Sequence, residues 1–414
     1  MKLLWFSHFI PYPPRGGAYQ RSYHLLRQAA KSHEIHLVAF DLHNQGRSFL
    51  SECHSELGKF CASVEFWGMP IPWKSAHWWL RLMLSPLRST PYSCLSFWSP
   101  ALAERWTQTL RQIQPELIHF DSIDLGLFAP ATQGFRKVLN HHNCESAMME
   151  RRGDNEPNPL KKLFLRTQAH KLARLEGELG PQCDVNLAVS ELDAQTLGAR
   201  APGAHFHLVE NGTDTSYYEP AAGSEEPRSL IFAGSLGWYP NVSAVQFFVR
   251  EVWPLIKRGC AGVRFYVAGQ RPPEPLVRWL KQDPNIVVVP SPEDIRPWIA
   301  RAAVFVCPML DGGGTKLKIL DAMAMGKTVV STAVGAEGLH VKHGENILLA
   351  DAPQDFAREV LRALEDAALR RRIAAAGRIL VEKEYSWEVI GGHLEQAYRC
   401  VQNRNACERR AELS

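Results

Sequence analysis

Residues 311–339, DGGGTKLKILDAMAMGKTVVSTAVGAEGL, set three glycines ahead of two lysines, an apolar helical pattern and a β-branched run. Glycines let a backbone approach a ligand closely, and a helix opening directly after them aims unpaired N–H groups at whatever lies there. This is chemistry for an anion. The N–H groups of Gly313, Gly314 and Thr315, with the ammonium groups of Lys316 and Lys318, can converge on a phosphate or diphosphate. On the loop alone, a glycine-rich connection with solvated lysines is an equal reading. It is not a P-loop, since no Gly-Lys-Ser/Thr follows at the required spacing.

Three other stretches carry candidate groups. KVLNHHNCES places His141 and His142 just past an expected strand end, and an imidazole can hydrogen-bond in either protonation state. There, Asn143 and Glu145 read as the N-cap and a first-turn residue of the next helix. PPRGGAYQRSYHLL gives a loop in which Gly16 and Gly17 allow close approach to a ligand beside the cation of Arg15, or only a tight turn from strand to helix. FDSID, residues 120–124, holds two aspartates whose spacing is not a metal-binding D-x-D, so no metal is expected. No carboxylate pair or nucleophile elbow stands out, which leaves covalent catalysis without support.

The elements that must position these groups alternate along the chain. LLWFSHF, IHLVAF, ASVEFW, ELIHF, RKVLN and VNLAVS are strand-like and are separated by helical-period segments such as AYQRSYHLLRQAAKS. SPALAERWTQTLRQIQ opens on Ser99 as N-cap with Pro100 at the first helical position. The pattern breaks at EPAAGSEEPR, residues 219–228, a linker by composition. SLIFAGS, VRFYVAG, NIVVVPS, AVFVCP and KTVVST then give five more strands, and the remainder reads as helices. The fold class is α/β, with two doubly wound parallel sheets that bind ligands at the carboxyl ends of their strands. The expected domains are residues 1–215, residues 216–385 and a final helical segment, 386–414, crossing back to the first domain.

At 414 residues the chain is long enough for two or three cores. A formal net charge of +4 is too small over this length to argue for nucleic acid. Nine cysteines without a C-x-x-C pair point to a reducing compartment, the cytoplasm, rather than to a disulfide framework. The N-terminal MKLLWFSHFIPYPPRGG ends its apolar run at prolines without a cleavage-site pattern, and no stretch is apolar over the ~20 residues that span a bilayer. Between Phe66 and Ala103 there is no acidic residue, while Trp67, Trp73, Trp78, Trp79, Phe97 and Trp98 accompany Lys74, Arg81 and Arg88. That composition suits peripheral docking on the inner membrane leaflet, or a helical insertion covering the sheet.

DAMAMGKTVV followed by GAEGL resembles the C-terminal signature of the group 1 glycosyltransferases, glycosyltransferase family 4, which have the GT-B fold. PYPPRGGAYQRSYHLL is similar to that family's first glycine-rich loop and helix, HLVENGTDTSYY to its domain-crossover turn, and YSWE to its closing helix. PPRGGAYQRSYHLL, HHNCES, AVSELDAQTL and DGGGTKLKILDAMAMG bring it nearest to sugar transferases of bacterial exopolysaccharide gene clusters. The resemblance implies two Rossmann-like domains facing across a cleft, the first for the acceptor and the second for the donor. It implies a retaining hexosyltransferase that moves a sugar from a nucleotide diphosphate sugar to a hydroxyl acceptor, a saccharide or polyprenyl-linked saccharide, without metal or cofactor. Within it, His142 falls where relatives place a histidine against the donor sugar or phosphate. Asp321 takes the second position of the family's paired glutamates, and Gly313 takes the first. Asp311, two residues earlier, is then either a substitute for the lost carboxylate or a turn-forming residue. Glu337 either touches the nucleotide or caps local backbone. In FAGSLGWYPNVSAV, Ser235 and Asn241 fall near the positions of an Arg/Lys pair that grips the diphosphate in many relatives, so Lys316 and Lys318 are expected to compensate. Two other readings stay open, a nucleotide-sugar epimerase on the same fold and a nucleotide-sugar-binding protein without turnover. A nicotinamide oxidoreductase fits poorly, because PRGGAYQRS lacks G-x-G-x-x-G.

Overall fold

Short apolar runs alternate with helices along the chain, and in the structure, a computed structural model describing residues 1–71, 75–221 and 225–403, they assemble two parallel sheets. The first contains β1 (Lys2–Ser7), β2 (Glu34–Asp41), β3 (Ser63–Gly68), β4 (Leu117–Phe120), β5 (Arg136–Asn140), β6 (Val185–Ala188) and β7 (Phe206–Leu208), in the order β3-β2-β1-β4-β5-β6-β7. The second contains β8 (Glu226–Ala233), β9 (Arg264–Gly269), β10 (Ile286–Pro290), β11 (Ala302–Cys307), β12 (Thr328–Ser331) and β13 (Leu348–Leu349), in the order β10-β9-β8-β11-β12-β13. In each sheet the order reverses once, between β1 and β4 and between β8 and β11, which creates a topological switch point at the strands' carboxyl ends. The sequence reading lacked β7 and β13, which at three and two residues are too short to show a period.

The near-continuous apolar strands are those of sheets covered on both faces. Leu3, Leu4, Trp5 and Phe6 of β1 are fully buried, and Phe6 stacks on Trp106 with centroids 4.3 Å apart. Trp106 lies on the helix Pro100–Ile113, which starts as expected, with the Ser99 side chain accepting from the Leu102 N–H and Pro100 at the first position. Asn143 is not a helix cap. The helix Glu145–Asp154 begins after Cys144, and the Asn143 amide instead donates to Glu145 Oε1 at 3.1 Å.

The chain divides into one unit of Met1–Glu210 joined by the stretch from Ile390 onward, and another of Asn211–Val389. The change of unit thus precedes both residue 215 and the Pro/Gly/Ser/Glu stretch at 219–228. Side-chain hydrogen bonds explain why: Asn211 Nδ2 donates to Thr315 Oγ1 at 2.8 Å and Thr213 Oγ1 to Asp321 Oδ1 at 2.6 Å, so the second unit already holds these residues. The helix Trp387–Gln402 returns to the first unit, where Glu395 meets His33 at 2.8 Å, His393 meets Glu210 at 2.9 Å and Tyr398 meets His119 at 2.9 Å.

Candidate functional site

In the second unit the switch point is lined by the ends of β8 and β11. The backbones crowd there: a Cβ on Gly269 would stand 1.7 Å from the Gly234 carbonyl oxygen. A Cβ on Gly234 would come within 3.1 Å of Lys318 Nζ, so a glycine at this strand end makes room for an ammonium group. Lys318 reaches it from the helix Leu317–Ala324, which opens directly after the glycine loop. Its Nζ donates to Asn241 Oδ1, lies 3.7 Å from Met309 Sδ and sits 4.7 Å over the Phe232 ring. The Asn241 amide is turned this way because its Nδ2 donates to the Ser235 carbonyl at 2.7 Å. Lys318 makes no ion pair among the described residues, and burial pushes its pKa down to about 8, with Lys316 lowering it further and Cys307 opposing.

Lys316 is placed differently. Its Nζ turns back on its own loop, donating to the carbonyls of Gly314 at 2.7 Å, Gly313 at 3.2 Å and Gly312 at 3.3 Å. The loop needs positive φ at Gly312 (118°) and Gly314 (60°), where a side chain would be strained. No acceptor meets the N–H groups of Gly313 and Gly314 among the described residues. Asp311 fits its turn reading, since its Oδ1 accepts from the Gly312 N–H at 2.6 Å and its Oδ2 from the Tyr239 hydroxyl at 3.0 Å. Thr315 and Asp321 are buried, each holding the unit's first residues. Glu337 is half-buried just past the helix Ala333–Ala336, whose N-terminus Thr332 caps by accepting from the Gly335 N–H at 3.1 Å.

In the first unit the switch point is built around Asp121, the residue after β4. It has no exposed surface, and four donors converge on it. Its Oδ2 accepts from the hydroxyls of Ser22 at 2.6 Å and Ser7 at 3.1 Å, its Oδ1 from Asn140 Nδ2 at 2.8 Å, and its backbone oxygen from His142 Nε2 at 2.7 Å. Burial alone would raise its pKa, but His142, then His119 and His8, hold its carboxyl below the usual carboxylate range. A carbonyl can only accept, so His142 Nε2 carries a proton, and its Nδ1 is buried and without a partner. Burial holds His8 and His119 neutral, each lowered to about 3. His141, by contrast, faces Asn186 at 3.2 Å and is a structural histidine.

Ligand atoms of His8, Asp121 and His142 lie within 4.8 Å of one another, a set able to hold a metal ion, although both Asp121 oxygens already accept hydrogen bonds. Gly16, with φ 114°, is the N-cap of the helix Gly17–Ala29, and Arg15 is exposed. Past His142, burial and the Asp124 carboxylate push Glu145 up to about 8. Sequence reasoning did not single out Ser7, Ser22, Asn140 or the hub role of Asp121. The available signal was positional: Ser7 and Asn140 end β1 and β5, and Asp121 follows β4, three neighbouring strands.

Comparison with known proteins agrees with this architecture. Residues 227–366 match the family described as Glycosyl transferases group 1. The chain is 26% identical over 258 residues, 60% of its length, to an uncharacterized 44.6 kDa protein in the cps region of Klebsiella pneumoniae. It is 24% identical over 238 residues, 52% of its length, to a GDP-mannose-dependent monoacylated alpha-(1-6)-phosphatidylinositol monomannoside mannosyltransferase of Corynebacterium glutamicum. These matches span 65% and 62% of the two relatives. Among solved structures, sucrose-phosphate synthase from Thermosynechococcus elongatus superposes with a TM-score of 0.73 at 16% identity, covering 98% of this chain and 100% of that one. With two doubly wound sheets and a glycine loop at the second switch point, the chain has the GT-B fold, and its stretch from β8 to β13 matches the group 1 glycosyltransferase domain.

Proposed function

We propose that this protein transfers a sugar from a nucleotide diphosphate sugar to a hydroxyl acceptor, with retention at the anomeric carbon and without a metal ion at the reacting diphosphate. The observation that carries the reading is Lys318, an ammonium group at a switch point, beside open loop N–H groups and without a carboxylate partner among the described residues. As the anomeric C–O bond breaks, its electron pair stays on the diphosphate. Lys318 and the Gly313 and Gly314 N–H groups then stabilise the transition state more than the ground state. The acceptor oxygen bonds to the anomeric carbon on the face the phosphate leaves, and its proton passes to the departing phosphate oxygen. In this reading Lys316 is a positioning residue that shapes the loop, and His142 Nδ1 accepts a hydrogen bond from a sugar hydroxyl.

The named relative that uses GDP-mannose supports a nucleotide-sugar donor, and the cps-region relative fits a place in exopolysaccharide synthesis, for which we take the acceptor to be a saccharide or polyprenyl-linked saccharide. Among the described residues seven cysteines are free thiols, which supports a reducing compartment, the cytoplasm, while Cys400 is disulfide-bonded, against the expectation of thiols alone. The test is transfer from a panel of UDP-, GDP- and ADP-sugars to saccharide acceptors in excess EDTA, with the product anomer read by NMR. A retained product, lost in Lys318→Met, supports the proposal. An inverted product or EDTA-sensitive turnover overturns it. Epimerised donor without transfer would identify an epimerase, and saturable binding without any product a binding protein.

A further inference from the structure

The helix Ala76–Leu84, AHWWLRLML, does not bury one residue, although all its side chains except His77 and Arg81 are apolar. A surface helix of a globular protein normally buries its apolar stripe. Here Trp79 is 50% exposed, Met83 69%, and Leu87 in the following turn 85%. The segment is nonetheless held in place. Ser75 caps the helix by accepting from the Trp78 N–H, and Arg81 Nη1 donates to the Leu95 carbonyl at 3.0 Å. Ser85 is tied to the helix Pro159–Leu179, accepting from Gln168 Nε2 at 2.8 Å and Lys171 Nζ at 2.6 Å. The expected insertion between residues 66 and 103 is therefore two things: Trp67, Cys94 and Phe97 belong to the core, and Ala76–Leu84 does not. Trp73 and Lys74 lie outside the described residues.

The helix that anchors Ser85 extends the patch. Leu160, Phe164 and Gln168 form one row at i, i+4 and i+8, so Leu160 stands on the side of the Gln168 anchor. Phe164 packs on Tyr92 at 5.8 Å, while Leu160 and Leu163 are 78% and 65% exposed. Around these side chains basic residues predominate: Arg81 and Arg88 lie in a stretch from Phe66 to Ala103 without any acidic residue, and Lys161 and Lys162 stand beside Leu160 and Leu163, while at the margin Asp154 pairs with Arg166 at 2.7 Å and its carbonyl accepts from Lys162 Nζ at 3.2 Å.

We propose that this surface docks on an anionic lipid bilayer, with Trp79, Met83, Leu87, Leu160 and Leu163 entering the headgroup layer and Arg88, Lys161 and Lys162 meeting lipid phosphates. Charge complementarity selects the lipid: a patch with basic residues and no acidic ones at its centre matches a surface of fixed negative charge. Paired tryptophans favour the layer between water and hydrocarbon, and the patch lies on the surface because no helix among the described residues is long and apolar enough to cross. The inference is independent of the transfer reaction.

The experiment is sedimentation of the full chain with phosphatidylglycerol or phosphatidylcholine vesicles at low and high salt, with light scattering of the lipid-free chain alongside. Binding to phosphatidylglycerol that weakens at high salt is expected. It should fall at least tenfold in Met83→Ser with Leu87→Ser, and lose its preference for anionic lipid in Arg88→Glu with Lys161→Glu. These side chains are exposed, so circular dichroism and soluble nucleotide binding should be unchanged. No binding at low salt, or binding indifferent to both double variants, would overturn the proposal. So would a lipid-free dimer that the serine variant dissociates, since a second copy would then cover the patch.

Discussion

The two switch points share one topology and carry opposite electrostatics. At the first, between β1 and β4, the buried charge is the Asp121 carboxylate, with both oxygens and its carbonyl occupied by donors and two neutral histidines nearby. At the second, between β8 and β11, the buried charge is the Lys318 ammonium, met among the described residues by an amide oxygen, a thioether and the face of the Phe232 ring. The first is electrostatically closed and leaves one buried polar atom, His142 Nδ1, without a partner. The second is open and wants an anion. A fold dictates where ligands bind, and the side chains at the switch point dictate which charge they bring.

Breaking the open side should have the largest effect. Lys318→Met removes a charge-assisted contact worth about 2–3 kcal/mol, so nucleoside diphosphate affinity should fall about 30- to 150-fold by calorimetry. The same substitution should leave folding unharmed or raise stability by up to about 1 kcal/mol, because it removes a buried cation without a counter-charge. If the Lys318→Met variant bound as tightly as wild type, the ammonium would be no part of an anion site.

The closed side should behave in reverse. Asp121→Asn puts an NH2 donor among groups that already donate, and a loss of about 2–4 kcal/mol in denaturant unfolding is expected. Because the Asp121 pKa is depressed in the folded state, the stability it contributes is present above its unfolded value near 4 and is lost as pH falls toward the folded value. An Asp121→Asn variant as stable as wild type would mean the convergent donors are satisfied elsewhere.

These sites were unequally legible in the sequence. The glycine loop, the following helix and Lys318 are contiguous, so spacing alone brought them together as a candidate anion site. The nearness of Lys318 to the Ser235 and Asn241 positions was also readable, and Lys318 donates to Asn241 directly. What spacing could not reveal is that Lys316, two residues away, points back at its own loop, because that depends on the positive φ of Gly312 and Gly314. The Asp121 hub joins Ser7, Ser22, Asp121, Asn140 and His142, which are up to 135 residues apart and meet only through the order of the strands. The division at Glu210 was hidden for a similar reason, since composition changes at the Pro/Gly stretch while hydrogen bonding changes at Asn211.

A pH series sharpens the contrast with a smaller effect. The Lys318 pKa is lowered to about 8 in the free protein, and a bound diphosphate favours the ammonium form. Affinity should therefore be full below about pH 7.5 and decline about tenfold per unit well above 8, with proton uptake on binding seen as a buffer-dependent calorimetric enthalpy. Lys318→Met should abolish that dependence. A wild-type affinity flat to pH 9.5 would place the titrating group elsewhere.

Lys316 gives the finest test, because it separates two lysines only two residues apart. Lys316 is 4% exposed and its Nζ donates to three carbonyls of its own loop, so in the proposed reading it shapes the loop. Lys316→Met should cost about 1–2 kcal/mol of stability through the unpaired carbonyls, while nucleotide affinity drops about threefold as the Gly313 and Gly314 N–H groups lose alignment. The midpoint of its pH dependence should move slightly upward, since Lys316 lowers the Lys318 pKa by repulsion. If Lys316→Met instead lost affinity as severely as Lys318→Met with the fold intact, Lys316 would release its loop on binding, and both ammonium groups would serve the diphosphate.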